Sequence, residues 1–142
     1  MIPHTHDKPV IPSAVRDALI QHARATAQSA YCPYSHYPVG AAVLTADGAV
    51  YTGCNVENVS YGLTMCAERI ALYKAISQGR RDIVALAVVG GTSRHPATPC
   101  GACLQVLAEF ADAETPVFIR PLKSGRGVDR VFSEMLPVVF QK

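Results

Sequence analysis

The apolar positions change their period several times along the chain, and each change marks an element. Val15, Leu19, Ala23, Ala27 and Ala30 recur at helical spacing behind Ser13, a good N-cap. They predict a first helix that Pro33 stops, with His22 beside the stripe in a packing or surface role. Residues 39–45 form a strand-length apolar run, and Ala46-Asp47-Gly48 and residues 49–53 complete a predicted β-hairpin. Residues 65–78 are apolar almost all round, through Ala67, Ile70, Ala71, Leu72, Ala75 and Ile76. Such a helix is buried on most sides, and Gly79 is its expected stop. Residues 83–90 read as a continuous apolar strand and residues 92–99 as a loop. Residues 100–110 read as a helix with Val106, Leu107 and Phe110 facing inward. Residues 117–120 predict a short strand, Val131 and Phe132 are candidates for another, and residues 135–140 are an apolar tail.

Helices alternating with strands imply a sheet covered on both faces. The expected fold is an α/β, three-layer α/β/α sandwich around a mixed sheet of about five strands. Residues 13–142 make one domain, with no repeat, low-complexity tract or linker. Residues 1–12 carry three prolines and no period, and are expected to be a mobile arm in which His4 and His6 are tail residues, not ligands.

Composition sharpens this picture. At 142 residues and 49% apolar, the chain can build a real core. Its net charge is only +2, and Lys123, Arg126 and Arg130 sit near two glycines as in a solvated loop. A polynucleotide partner is therefore disfavoured. No stretch has the length of a signal peptide or a membrane span, so a cytoplasmic location is expected. Five cysteines in a reducing compartment argue for metal binding or catalysis over a disulfide framework.

Two short motifs carry the chemistry. Pro99-Cys100-Gly101-Ala102-Cys103 opens a predicted helix. Thiols three apart on a first turn share one face, and the unpaired N–H groups of a helix start stabilise thiolates. Alone, this pair is equally a redox motif or two buried cysteines. Cys66-Ala67-Glu68, at a second helix start, adds a third thiol. Three thiolates with one open position make a catalytic zinc site, whereas a structural site would be closed by a fourth ligand. Cys32 and Cys54 lie in no comparable motif and read as small buried residues. Glu68 sits two residues past Cys66, near enough to hold a zinc-bound water without ligating zinc. In an apolar helix it needs a partner or a task, and pairing with Arg69 at an exposed edge is the alternative. Three thiolates leave the Zn2+ site with a net negative charge. Arg69 is expected to donate to the sulfurs and draw that charge away.

Cys-x-Glu followed by Pro-Cys-x-x-Cys matches the signature of zinc-dependent nucleobase deaminases. The chemistry expected there is attack of a zinc-bound hydroxide on C4 of a cytosine ring. Glu68 shuttles protons to N3 and to the leaving amine. With these motifs, residues 34–42 (Tyr-Ser-His-Tyr-Pro-Val-Gly-Ala-Ala), Gly53-Cys54-Asn55-Val56-Glu57-Asn58 and Ser60-Tyr61-Gly62 resemble the small homotetrameric cytidine deaminases. The likeness runs from about residue 30 to residue 140. It implies hydrolysis of cytidine and deoxycytidine to their uracil counterparts, in pyrimidine salvage. It implies that Asn55 and Glu57 bind the ribose 3′-hydroxyl, that Tyr37 packs near the pyrimidine and that the Ala67 backbone contacts the base edge. It also implies that Tyr61 lies at a subunit boundary and that Phe140 reaches a neighbouring subunit's site.

The chain departs from the family in three places. Leu104 stands where an arginine usually follows the last ligand, Tyr37 replaces the usual phenylalanine, and two residues follow Phe140, fewer than in many members. These departures bear on fine specificity. The rival readings are a deaminase of modified cytosine nucleosides or of a nucleoside antibiotic such as blasticidin S, a non-catalytic zinc protein, and a thiol redox protein.

Overall fold

A computed structural model describes residues 10–141 of the protein. His4, His6 and most of the expected arm lie outside the described residues. Among the described residues, five strands form one sheet. Strands β1 (Val39–Thr45) and β2 (Val50–Cys54) are the expected hairpin. Strand β3 (Ile83–Gly90) pairs antiparallel with β1 and parallel with β4 (Pro116–Arg120), and β5 (Val128–Val131) closes the other edge antiparallel. The parallel β3–β4 pair needs a crossover, which helix α3 (Gly101–Ala108) supplies.

The period-2 alternation of the central strands sorts side chains into two cores. Ala42 and Leu44 of β1 and Ala85, Ala87 and Val89 of β3 pack against Leu19, Ile20 and Ala23 of α1 (Ser13–Ala27). Ala41, Val43, Leu86 and Val88 pack on the opposite face, against Ala67, Ala71, Leu72 and Ala75 of α2 (Ala67–Ser77) and Leu104 and Leu107 of α3. This is the expected three-layer sandwich.

Both helix layers approach the sheet at a glycine. A Cβ at Gly40 would lie 1.9 Å from the Ala23 carbonyl oxygen in α1, and one at Gly53 would lie 2.5 Å from both Ala67 O and Ala71 N in α2. Gly53→Ala therefore forces α2, which carries Glu68, off the sheet. The expected cost is about 1–3 kcal/mol, read as a lower urea midpoint at constant m-value.

The boundaries differ from the sequence reading in instructive ways. Pro12, not Ser13, occupies the N-cap of α1, with no side-chain cap. The helix ends at Ala27, short of Ala30 and Pro33, because the chain turns to bridge Tyr31 with Val56. Val15 stays exposed. Helix α2 starts at Ala67 instead of residue 65, and Ile70 and Ile76 are only half-buried. It ends as expected at Gly79, whose φ of +79° lets Gly79 N–H reach Ile76 O and Arg80 N–H reach Ala75 O. Helix α3 stops at Ala108, and Val106 and Phe110 are partly buried against the core. Phe132 is not a strand residue: it opens a short helix α4 (Phe132–Met135), started by Val131 N–H donating to Glu134 Oε2 at 3.0 Å. Cys32 and Cys54 are half-buried, and Cys54 is the last residue of β2. Among the described residues, no helix is long and apolar enough to cross a membrane.

Candidate active site

One rim of the sheet gathers the chemistry. Strand β1 begins there while β2 and β3 end there, since Gly40 pairs with Cys54 and Val39 with Gly90. The loops that follow β2 and β3 thus flank the start of β1. Helices α2 and α3 return to this rim with Cys66 and Cys100 as their N-caps. Cys103, one turn into α3, is buried, and its own N–H donates to Cys100 Sγ at 3.5 Å.

The sulfurs of Cys66, Cys100 and Cys103 all lie within 4.8 Å of one another, with Cys66–Cys100 at 3.8 Å and Cys100–Cys103 at 3.5 Å. Sulfurs about 2.3 Å from a tetrahedral zinc ion stand about 3.8 Å apart, so this trio fits that metal. Glu68 is 4% exposed, and Cys103 Sγ donates to its Oε2 at 3.7 Å. The alternative of an exposed Glu68–Arg69 pair is therefore excluded. Arg69 turns to the sulfurs instead: its Nη2 donates to Cys66 Sγ at 3.4 Å, and its buried Nε has no partner. Leu104 is buried against the sheet and brings no charge to the thiols.

These contacts set the proton affinities. Burial pushes the Glu68 carboxyl up to about 7. Sharing a hydrogen bond with Cys103, and then the Arg69 guanidinium, draws the Cys66 thiol down to about 5. Cys103, its partner in that bond, is pushed up. Glu57 is held below the usual carboxylate range, first by the Ser35 hydroxyl and then by backbone N–H groups.

The Glu68 value carries a stability prediction. Its folded pKa lies above the ordinary 4.5, so the folded state binds the proton more tightly. In chelated protein that stabilisation is complete below the ordinary carboxylate range and is lost as pH rises through neutrality, a swing of about 3 kcal/mol. Urea unfolding between about pH 4 and about pH 8 should show it as the difference between the wild type and Glu68→Gln, because Cys66, drawn down to about 5, gains stability over the same range in both.

A cavity of about 500 Å³ opens over the thiols, within the usual range for small-molecule sites. Of the residues expected from sequence, Tyr37, Asn55, Glu57, Cys66, Ala67, Glu68 and Cys100 line it. Asn55 ties its wall together: its Nδ2 donates to Tyr37 O and its Oδ1 accepts from Val39 N–H, both at 2.9 Å. Glu57 Oε1 accepts from the Tyr34 and Ser35 N–H groups at 3.0 and 3.1 Å. Tyr61 and Phe140 are outside the cavity, 72% and 79% exposed, and the Tyr61 ring packs edge-on against Tyr34. Ser35, Thr64, His95 and Thr98 also line the cavity, and the sequence alone assigns them no role. Ser35 lies within the Tyr-Ser-His-Tyr-Pro segment, whereas His95 carries no signal beyond an imidazole in the loop before a ligand helix.

Three thiols and a buried carboxyl at the N-termini of two helices, on an α/β/α sandwich, define a zinc-dependent nucleobase deaminase. The family described as "Cytidine and deoxycytidylate deaminase zinc-binding region" matches residues 14–119. A cytidine deaminase of Halalkalibacterium halodurans is 53% identical over 125 residues, 88% of this chain and 93% of that protein. The crystal structure of the Burkholderia pseudomallei cytidine deaminase superposes with a TM-score of 0.81 at 44% identity, covering 87% of this chain and 98% of that one. That of the Mycobacterium tuberculosis cytidine deaminase gives 0.74 at 42%, covering 89% and 98%. This chain belongs to the cytidine deaminase family.

Proposed function

We propose that the protein hydrolyses cytidine and deoxycytidine to uridine and deoxyuridine, releasing ammonia. The observation that carries this reading is the buried Glu68 carboxyl beside three convergent sulfurs at the floor of a nucleoside-sized cavity. Zinc, when bound by Cys66, Cys100 and Cys103, supplies a Lewis acid that makes water nucleophilic near neutral pH. The chain's own residues do the rest. Glu68 accepts one proton from the attacking water and passes it to N3, then takes the second from the new C4 hydroxyl and passes it to the departing amine. Water adds at C4, the C4–N bond breaks, and a uracil ring and ammonia remain.

Asn55 and Glu57 stand on the wall that would receive the ribose 3′-hydroxyl, and the backbone of Ala67 and the ring of Tyr37 border the base. The exposure of Tyr61 and Phe140 supports a homotetramer in which Tyr61 lies at a subunit boundary and Phe140 reaches a neighbour's site. Free thiols suit a reducing compartment, and we place the protein in the cytoplasm on that ground. Ammonia release should be measured over cytidine, deoxycytidine, N4-substituted cytidines and blasticidin S. Turnover confined to the first two supports the reading, and bound zinc with no ammonia from either removes it.

Arg69 is assigned the charge compensation. Arg69→Ala should weaken zinc binding about 10–100-fold in a chelator competition. Unchanged zinc affinity and activity would show that Arg69 has no such role.

A further inference from the structure

The loop after β3 builds the side of the cavity opposite Asn55 and Glu57 across the start of β1, and several hydrogen bonds hold it. Thr92 N–H donates to His95 O at 3.0 Å and His95 N–H to Thr92 Oγ1 at 3.1 Å, closing a four-residue turn. Gly91 and Pro96 bridge below it, and Ala97 N–H returns to Gly90 O at 2.9 Å. From outside, Leu122 N–H clamps Gly91 O at 3.1 Å. Pro96 further restricts the backbone of the residue before it. His95 is thus presented to the cavity from a fixed backbone.

Its surroundings give the imidazole nothing to do. No hydrogen bond is made to its side chain among the described residues, and it is exposed. Several of the other polar groups of the cavity already hold backbone groups. Both ends of the Asn55 amide bind backbone, Glu57 Oε1 holds two N–H groups, Ser35 Oγ accepts from Tyr37 N–H and Thr64 Oγ1 from Asn58 N–H. Among the described residues, no lysine or arginine lines the cavity. A nucleoside with its base at the thiols and its 3′-hydroxyl toward Asn55 and Glu57 still has other sugar hydroxyls to satisfy. An imidazole can donate to or accept from a hydroxyl at neutral pH.

We propose that His95 is a substrate-binding residue whose imidazole hydrogen-bonds a sugar hydroxyl left free by Asn55 and Glu57. This rests on the nucleoside deaminase reading above. The test is steady-state kinetics of the zinc-loaded wild type, His95→Ala and His95→Gln on cytidine, 2′-deoxycytidine and 5′-deoxycytidine. His95→Ala should raise KM for cytidine roughly five- to tenfold and leave kcat nearly unchanged, the size of one hydrogen bond. His95→Gln, which keeps a donor and an acceptor, should recover most of the loss. On whichever deoxynucleoside lacks the contacted hydroxyl, wild type and His95→Ala should have the same KM. An unchanged KM for cytidine, or the same penalty on all three nucleosides, overturns the assignment. Failure of the wild type to release ammonia from cytidine would instead overturn the underlying reading.

Discussion

Glu68→Gln should lower kcat on cytidine by about 10²–10⁴-fold while leaving one zinc per chain in place. The substitution keeps the shape of the side chain and its capacity to accept from Cys103, so the helix start and the sulfur cluster should hold. What it removes is a titratable oxygen. Burial raises the proton affinity of the Glu68 carboxyl, which makes it a better acceptor for a water proton. A glutamine amide at the same place can orient a water but cannot move its proton. Metal analysis and ammonia release on one preparation separate the two roles. Retained turnover would take Glu68 out of the proton path, and loss of zinc would make it a ligand.

Cys103→Ala should abolish stable zinc binding and, with it, turnover. Cys103 is 1% exposed and is the one ligand embedded in the core, one helical turn beyond Cys100. Removing its sulfur leaves two thiols at a site that needs three protein ligands to leave one position open. Stability should fall in two separable parts. The vacated volume costs about 1 kcal/mol in both metal-free and zinc-loaded protein. The lost linkage to zinc costs several kcal/mol more, but only when zinc is present. Thermal unfolding with and without chelator resolves the parts: the wild type should lose its high melting temperature on chelation and the variant should hardly respond. Full zinc occupancy in Cys103→Ala would remove it from the ligand set.

What could be read in the sequence was whatever short-range chemistry encodes. The thiol spacings and Glu68 depend on one helical turn each, so local geometry suffices. The bounds of β1 and β3 match their apolar runs because central strands are buried on both faces. Helix ends were less legible. A boundary read from one capping residue is fixed only to within a residue or two, so Ser13 could not locate it, and Pro12 took the cap. Ala30 kept helical spacing while the chain was already committed to a bridge with a residue 25 positions on, Tyr31 with Val56. The cavity wall was least legible. It joins segments near residues 35, 57, 64 and 95 that meet only through strand register. That is why Ser35 and Thr64 passed unassigned and His95 looked like an ordinary loop residue.

The Asn55 amide has a consequence for how a ligand enters. A side chain stitched at both ends to the main chain cannot swing toward a sugar, so any nucleoside must conform to a template already set. Little ordering of this wall is left to accompany capture, and discrimination among sugars should come from mismatch against a rigid surface.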